Sequence, residues 1–351
     1  MIRAKLAVTL VTYTYNDHAL AAGLLTEAMA WEGVPREIVV IDDGSASPFA
    51  APDVDPAPRV LRLSPNQGPA RAKAAGLEAG GSRFLLSVDA DIRLPPDWLV
   101  SCLAEAARPE VGVVATPILE AAGEGLLGGY QRLRYSLGAG FSGEANVVPG
   151  GVWLMRREVW RRHSFHDYPQ RLHVDVHFSQ TLRRAGLALR ILPGPPARQI
   201  RRLSRLTMVR RGWTWQGPEF QAAAKANPID PANALLVAVK RRMDRHHAVN
   251  PAFLYYDCLY LAHALVSLLR RGGWAEAAAG LPRALASALP EPRAGAWLLA
   301  DLRRLGQTAG LDGEPTPLAA ALGRGLASVL PPDASAALAA ALPELAAEDA
   351  R

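Results

Sequence analysis

The sequence predicts an α/β architecture, a mainly parallel sheet flanked by helices, followed by an all-helical C-terminal extension. Three observations predict it. Over the first hundred residues, short apolar runs rich in Val, Ile and Thr alternate with stretches of helical spacing. The polar clusters Tyr15-Asn16, Asp42-Asp43 and Asp89-Ala90-Asp91 each fall at or just past the end of such a run. After Pro193-Gly194-Pro195-Pro196 the composition turns Ala-rich and helical. Continuous apolar strands joined by helices form a parallel sheet covered on both faces. Ligands of such sheets bind beyond the carboxyl ends of the strands.

The elements follow in order. Leu6 to Thr12 reads as a strand, His18 to Trp31 as a helix, and Glu37 to Ile41 as a second strand stopping at Asp42-Asp43-Gly44-Ser45. Val60 to Leu63 is a third strand, Gly68 to Ala79 a helix, and Phe84 to Val88 a fourth strand ending at Asp89. Residues 110 to 160 read as mixed strand and loop, with strands at Val111 to Pro117 and Gly150 to Arg156. Asp175 to Ala185 has helical spacing and stops at Gly186, a C′ glycine. The compositional shift places a domain boundary near residue 220, dividing the chain into 1–220 and 221–351.

Composition narrows the partners. Half of the 351 residues are hydrophobic and 21% are charged, which excludes wholesale disorder. The formal charge of +6 suits phosphate-bearing partners such as nucleotides, anionic head groups or nucleic acid. Two cysteines, Cys102 and Cys258, exclude a disulfide framework. The apolar run near the N-terminus is too short for a secretory segment, and Pro251 to Leu269 carries Asp257 and His263 within a buried or membrane-surface helix. A cytoplasmic protein is expected, with peripheral contact at the inner face of a membrane as an option.

Two carboxylates one residue apart, Asp89 and Asp91, offer hard oxygen ligands suited to Mn²⁺ or Mg²⁺ bridging to phosphate oxygens. The same triplet is also common in solvated turns. Asp42-Asp43-Gly44-Ser45 reads either as an Asp-Gly turn or as an acceptor for a pyrimidine N–H or a ribose hydroxyl. Tyr15 offers a ring for a base to stack on. The order of these clusters is more specific than any one of them. VTLVTYTYN, EIVVIDDGSASP, NQGPARAKAAGLEAG and FLLSVDADIRLPPDWL follow one another within the first hundred residues. This succession resembles the family 2 glycosyltransferases of the GT-A fold, and the likeness extends more loosely to about residue 194.

The resemblance implies an inverting enzyme that takes a sugar from a nucleoside-diphosphate donor, UDP-linked for preference, GDP or dTDP otherwise, and passes it to a hydroxyl. It implies nucleobase contacts for Thr14, Tyr15 and Asp43, support of that loop by Asp42, and Lys73 near the uracil or diphosphate. Asp89 and Asp91 take the donor-ribose and metal roles. Tyr13 and Ala74 stand where the family has Pro and Asn.

Further along, Ser164-Phe165-His166-Asp167 and Val174-Asp175-Val176-His177-Phe178 match the family's acceptor-side segment, with Val174 in place of its Glu. Asp175 is then the general base, an Asp at a helix start that can orient an acceptor hydroxyl, although an N-cap would use the same residue. His173 and His177 have a zinc-like spacing, but no H-E-x-x-H pattern accompanies them. His166 and His177 are better placed for acceptor binding.

Relatives carry a metal-binding histidine where this chain has Arg198-Gln199-Ile200-Arg201-Arg202. The metal therefore has fewer protein ligands, or Arg201 or Arg202 holds the diphosphate. Trp213 forms a sugar-stacking lip or packs in a core. The basic stretch Lys240 to His247 suits an anionic surface or a solvated helix end. The C-terminal helices serve an acceptor (glycan, lipid-linked or protein), a membrane surface or a homodimer, and nucleic acid is not expected. A non-catalytic nucleotide-sugar binder is the competing function. A nucleotidyltransferase would need a glycine-rich basic loop after the first strand, where this chain has Thr12-Tyr13-Thr14-Tyr15-Asn16.

Overall fold

The computed structural model describes residues 5–120, 123–135, 142–168, 173–225, 227–307 and 313–350. The chain forms two compact units, one of residues 1–121 with 135–201 and one of 122–134 with 202–351.

The first unit begins as the apolar pattern dictates. Strand β1 (Lys5–Thr14) leads to helix α1 (His18–Ala28), β2 (Val34–Asp42), β3 (Arg59–Arg62), α2 (Pro69–Ala79), β4 (Phe84–Val88), β5 (Ile92–Arg93) and α3 (Trp98–Ala106). Then come β6 (Val111–Ala115), β7 (Ile118–Glu120), helix α4 (Gly125–Tyr135, of the second unit), β8 (Gly143–Glu144), β9 (Val152–Arg156), α5 (Arg157–His163), α6 (Val174–Arg184), β10 (Ala188–Ile191) and β11 (Ala197–Gln199). An eight-stranded sheet runs β3-β2-β1-β4-β9-β6-β10-β8, and β5-β11-β7 form a small second sheet. β3, β2, β1 and β4 are mutually parallel, as the alternation predicts. β9 is antiparallel to β4 and β6, so the sheet is mixed at its centre.

Side chains alternate across the sheet because successive strand residues face opposite ways. Val8, Leu10, Ile38 and Val40 pack toward α1 and α3, with Leu24, Leu25, Trp98 and Leu99. Val11, Val39 and Ile41 face the other layer, with Leu77 of α2, Trp160 of α5 and Phe178 of α6. Both faces are dry, which is why the strands read as unbroken apolar runs.

The region between 110 and 160, read as strand and loop, also contains α4 and α5. α4 carries three glycines, Gly125, Gly128 and Gly129, which lower helical propensity. The expected boundary near 220 also shifts. Residues 202–220 belong to the second unit because α7 (Arg205–Ala224) packs on α8 (Ile229–Val249) and α9 (Leu254–Arg271), and Arg205 binds Asp301 there.

The second unit continues through α10 (Leu281–Ser287), α11 (Pro292–Arg304), α12 (Pro317–Val329) and α13 (Ala334–Asp349). α9 is its central element. The span Pro251–Arg271 is long and apolar enough to cross a membrane, yet its apolar window is wholly buried inside the unit. Buried polar residues of α9 are matched by partners. Asp257 accepts from Tyr130 Oη (2.7 Å) and Arg242 Nε (2.8 Å), and pairs with His246 Nδ1 (2.8 Å). Burial pushes the Asp257 carboxyl up, but the His246 bond and the Arg242 charge outweigh it and leave the group below its ordinary value. Arg242 and His246 of the Lys240–His247 stretch thus turn inward instead of forming a surface patch. A charged side chain in a core needs such a partner.

Candidate active site

The site is built where β1, β2 and β4 end. Asn16 takes a left-handed conformation (φ 58°), its N–H donates to Ser45 Oγ (2.9 Å), and its Oδ1 accepts from Ala46 N–H (2.8 Å). Asp42 accepts from the N–H groups of Ser45 (3.0 Å) and Phe49 (3.1 Å) and pairs with Arg62 (2.6 Å). Burial raises the Asp42 carboxyl, but the bonds from Ser45 and Phe49 and the Arg62 charge carry it below its usual value. These bonds fix the conformation of the loop that follows β2.

Asp43 lies one residue on and is also buried. It accepts from Gln67 N–H (2.8 Å), Gly68 N–H (2.8 Å) and Asn66 Nδ2 (2.9 Å), fixing the turn that leads into α2. Gly68 supplies the positive φ (90°), and Pro69 opens the helix at a position where no N–H is needed. Three of the acceptor sites of Asp43 are therefore spent on the protein itself. Thr14 is buried with its hydroxyl unpartnered among the described residues, and Tyr15 is half exposed beside it.

α2 brings Lys73 into the same place. Its ammonium is buried, lies 2.9 Å from Asp89 Oδ1, donates to the Gly150 carbonyl, and sits 4.5 Å from the Trp153 ring centroid. This is an ion pair inside the carboxylate turn, a tighter role than the expected contact with base or diphosphate alone. Asp89 is anchored by its N–H to Gly151 O (2.9 Å). Its pKa is raised, first by desolvation; Lys73 opposes the rise and Asp91 adds to it.

Asp91 is 5% exposed. Its Oδ2 accepts from Arg201 Nε (2.7 Å) and Gln199 Nε2 (3.0 Å), and Arg201 also pairs with Asp17 (2.8 Å). The small sheet explains the meeting: Gln199 is in register with Ile92, and Ile200 N–H bonds Asp91 O at 2.8 Å. Arg201 thus stands against the second carboxylate of the turn, and Gln199, unmarked in the sequence, stands with it.

The helix-borne acid arrives from the other side. Asp175 lies in the first turn of α6, half-buried, and accepts from the N–H of its neighbour Val176 at 2.9 Å. It packs directly on Gly150, where a Cβ would stand 3.3 Å from Asp175 Cβ. Gly150 therefore joins Asp175 to the Lys73–Asp89 pair. His173 precedes the helix in a left-handed conformation, and His177 stacks on Tyr168 at 4.5 Å. His166 instead pairs with Glu78 of α2 (3.3 Å) and packs on Trp160, so the two histidines are not brought together as one subsite. Arg202 and Trp213 lie in the second unit, Arg202 exposed and Trp213 buried.

Among the described residues no group of three or more His, Cys, Asp or Glu side chains converges on a metal position. The paired carboxylates of Asp89 and Asp91 fit the other kind of divalent site, in which one or two carboxylates and the oxygens of a bound phosphate complete the shell.

A sheet with this order, acidic residues at the carboxyl ends of β2 and β4, and an acid on a facing helix define a GT-A type α/β domain. Residues 9–164 match the family model described as Glycosyl transferase family 2, and this region is a family 2 glycosyltransferase domain. The chain is 35% identical over 111 residues to the succinoglycan biosynthesis protein ExoO of Rhizobium meliloti, covering 30% of this chain and 32% of that protein. It is 34% identical over 146 residues to the pre-mycofactocin glycosyltransferase of Mycobacterium tuberculosis, covering 40% and 30%. It thus spans about a third of the length of these curated relatives. Among solved structures, the mannosyltransferase PcManGT of Pyrobaculum calidifontis in complex with GDP-Man and Mn²⁺ is 18% identical, with a TM-score of 0.41 over 97% of this chain and 87% of that one.

Proposed function

We propose that the protein transfers a sugar from a nucleoside-diphosphate donor, UDP-linked for preference, to an acceptor hydroxyl with inversion. The observation that carries this reading is the junction at Gly150, where the ion-paired carboxylate turn and the helix-borne Asp175 meet. Thr14, Tyr15 and Asp43 line the end of the base-binding strands, and Asp42 holds their loop. Lys73 and Arg201 keep the two carboxylates of the turn in fixed orientations. Mn²⁺ or Mg²⁺ arriving with the donor would be held by Asp89 and Asp91 and would supply neutralisation of the leaving diphosphate.

Asp175 takes the proton of the acceptor hydroxyl as its oxygen bonds the anomeric carbon. The bond from that carbon to the diphosphate oxygen breaks, and the nucleoside diphosphate leaves with the electron pair. One base and one displacement invert the centre. Glycan, lipid-linked and protein hydroxyls are the acceptor classes in play, at the cytoplasmic side.

The test is release of nucleoside diphosphate from UDP-, GDP- and dTDP-sugars with Mn²⁺ and a panel of hydroxyl acceptors, comparing wild type with Asp175→Asn. Turnover in wild type and its loss in the variant support transfer. Nucleotide binding without turnover supports the alternative of a nucleotide-sugar-binding scaffold, which draws on Val174 in place of an acid and on Arg201 against Asp91.

A further inference from the structure

The second unit contains a cleft of about 430 Å³, within the range of small-molecule sites. One wall is α7, which contributes Arg210 and Trp213. The other is one face of α9, where His263, Ser267 and Arg270 recur at helical spacing, with Arg271 beside them. Gln307, just beyond α11, closes the end.

The polar groups are organised. Gln307 donates to Ser267 Oγ (2.8 Å), lies 3.3 Å from His263 Nδ1, and accepts from Arg270 (2.7 Å). Burial, helped by the charges of Arg210 and Arg271, lowers the His263 pKa to about 4, so its ring is neutral. The indole Nε1–H of buried Trp213 has no hydrogen-bond partner among the described residues. The charge balance is one-sided: the cleft has three guanidiniums and no carboxylate among its described lining residues. Arg205, Arg242 and Arg304 of the same unit are all ion-paired. None of Arg210, Arg270 and Arg271 forms an ion pair among the described residues.

Three guanidiniums without an ion partner among the described residues repel one another around one cleft unless an anion joins them, and their field concentrates anions there. A single carboxylate would leave most of that charge unmatched, whereas phosphate oxygens meet guanidinium donors in bidentate geometry. We propose that this cleft is a binding site for a phosphate-bearing ligand carrying two or more negative charges, distinct from the donor site of the first unit. Trp213 and Leu305 offer its non-ionic part an apolar surface.

The experiment is calorimetric titration of the full chain with pyrophosphate, and separately with inorganic phosphate, in the presence of saturating UDP. The wild type is expected to bind pyrophosphate once per chain. The Arg270→Gln/Arg271→Gln pair is expected to weaken binding at least about ten-fold, and the Arg270→Lys/Arg271→Lys pair to recover part of the loss because charge is kept while the fork is not. A titration with anionic vesicles distinguishes a lipid head group from a free phosphate compound, since only the former gives arginine-dependent binding to vesicles. Pyrophosphate binding equal in wild type and the folded Gln pair, or no binding below about 10 mM, overturns the proposal. Failure of UDP to bind would count against the donor site alone, because the arginine dependence is read independently of it.

Discussion

Arg201 Nε donates to Asp91 Oδ2 at 2.7 Å, and the same guanidinium reaches Asp17 at 2.8 Å. A cation supplied by the chain itself therefore stands against the carboxylate expected to face the donor diphosphate. Desolvation lowers the Arg201 pKa, but its bonds to Asp17 and Asp91 raise it further, so the group stays charged. Replacing it with Gln removes an ion partner of Asp91, which is 5% exposed. Arg201→Gln should cost about 1–3 kcal/mol in urea unfolding, less than a fully buried pair because Arg201 is partly solvated. With UDP present it should also change Mn²⁺ affinity measured by electron paramagnetic resonance. Unchanged stability and unchanged Mn²⁺ affinity would show the contact to be idle.

Asp175→Asn keeps the shape of the α6 first turn and removes the carboxylate proposed as the base. The expected loss in kcat is about 10²–10⁴-fold, with nucleotide affinity and melting temperature near wild type. Steady-state transfer assays and calorimetry with UDP read the two quantities separately. A parallel fall in nucleotide affinity would assign Asp175 to donor binding instead.

Asp43→Ala removes the acceptor shared by Gln67 N–H, Gly68 N–H and Asn66 Nδ2. Two backbone donors and one amide would need new partners at a buried position, a loss of about 2–4 kcal/mol. Because the turn positions α2, and with it Lys73, donor KM should rise as well. Chemical denaturation and donor titration test both halves of the expectation.

His263 gives the second unit a pH dependence of predictable sign. Its folded pKa, about 4, is below the ordinary 6.5 because burial disfavours the charged ring. The unfolded chain therefore binds more protons between these values. The contribution to stability is complete above pH 6.5 and is lost as pH falls toward 4, reaching at most about 3 kcal/mol. In melting curves from pH 7 to pH 4, His263→Gln should fall less steeply than wild type. Superimposable slopes would rule His263 out as the source.

The acid limb of activity should be set by Asp89, whose pKa lies above the usual carboxylate value chiefly through desolvation. Protonation removes the Lys73 pair, so kcat/KM should decline as pH falls through a point higher than that of an exposed Asp. A Lys73→Met variant, lacking the charge that opposes the rise, should move that limb to still higher pH in a rate profile.

The strands ending at Asp42 and Asp89 were legible because both faces of the sheet are dry, which leaves unbroken apolar runs such as Phe84–Val88. α6 was legible to within one residue at each end through its periodicity and Gly186. α4 was not, since its glycines mask a helical pattern, and β11 is three residues long. Within the site, residue types carried most of the signal for Asp89, Asp91 and Asp175. The partners of Asp43 left little trace because two are backbone N–H groups, which any sequence possesses. Gln199 and Arg201 meet Asp91 only through the register of a small sheet formed across more than a hundred residues, a relation that local pattern does not encode.

Gly150 sets a limit on how this domain can be re-engineered. Its carbonyl serves Lys73 and its Cα face abuts Asp175. A chimera that takes residues up to 149 from one protein and the rest from another would pair a lysine and an aspartate never matched across that contact. Exchanging acceptor preference by segment swapping should therefore succeed only when α2 and the 150–175 segment travel as one inherited block.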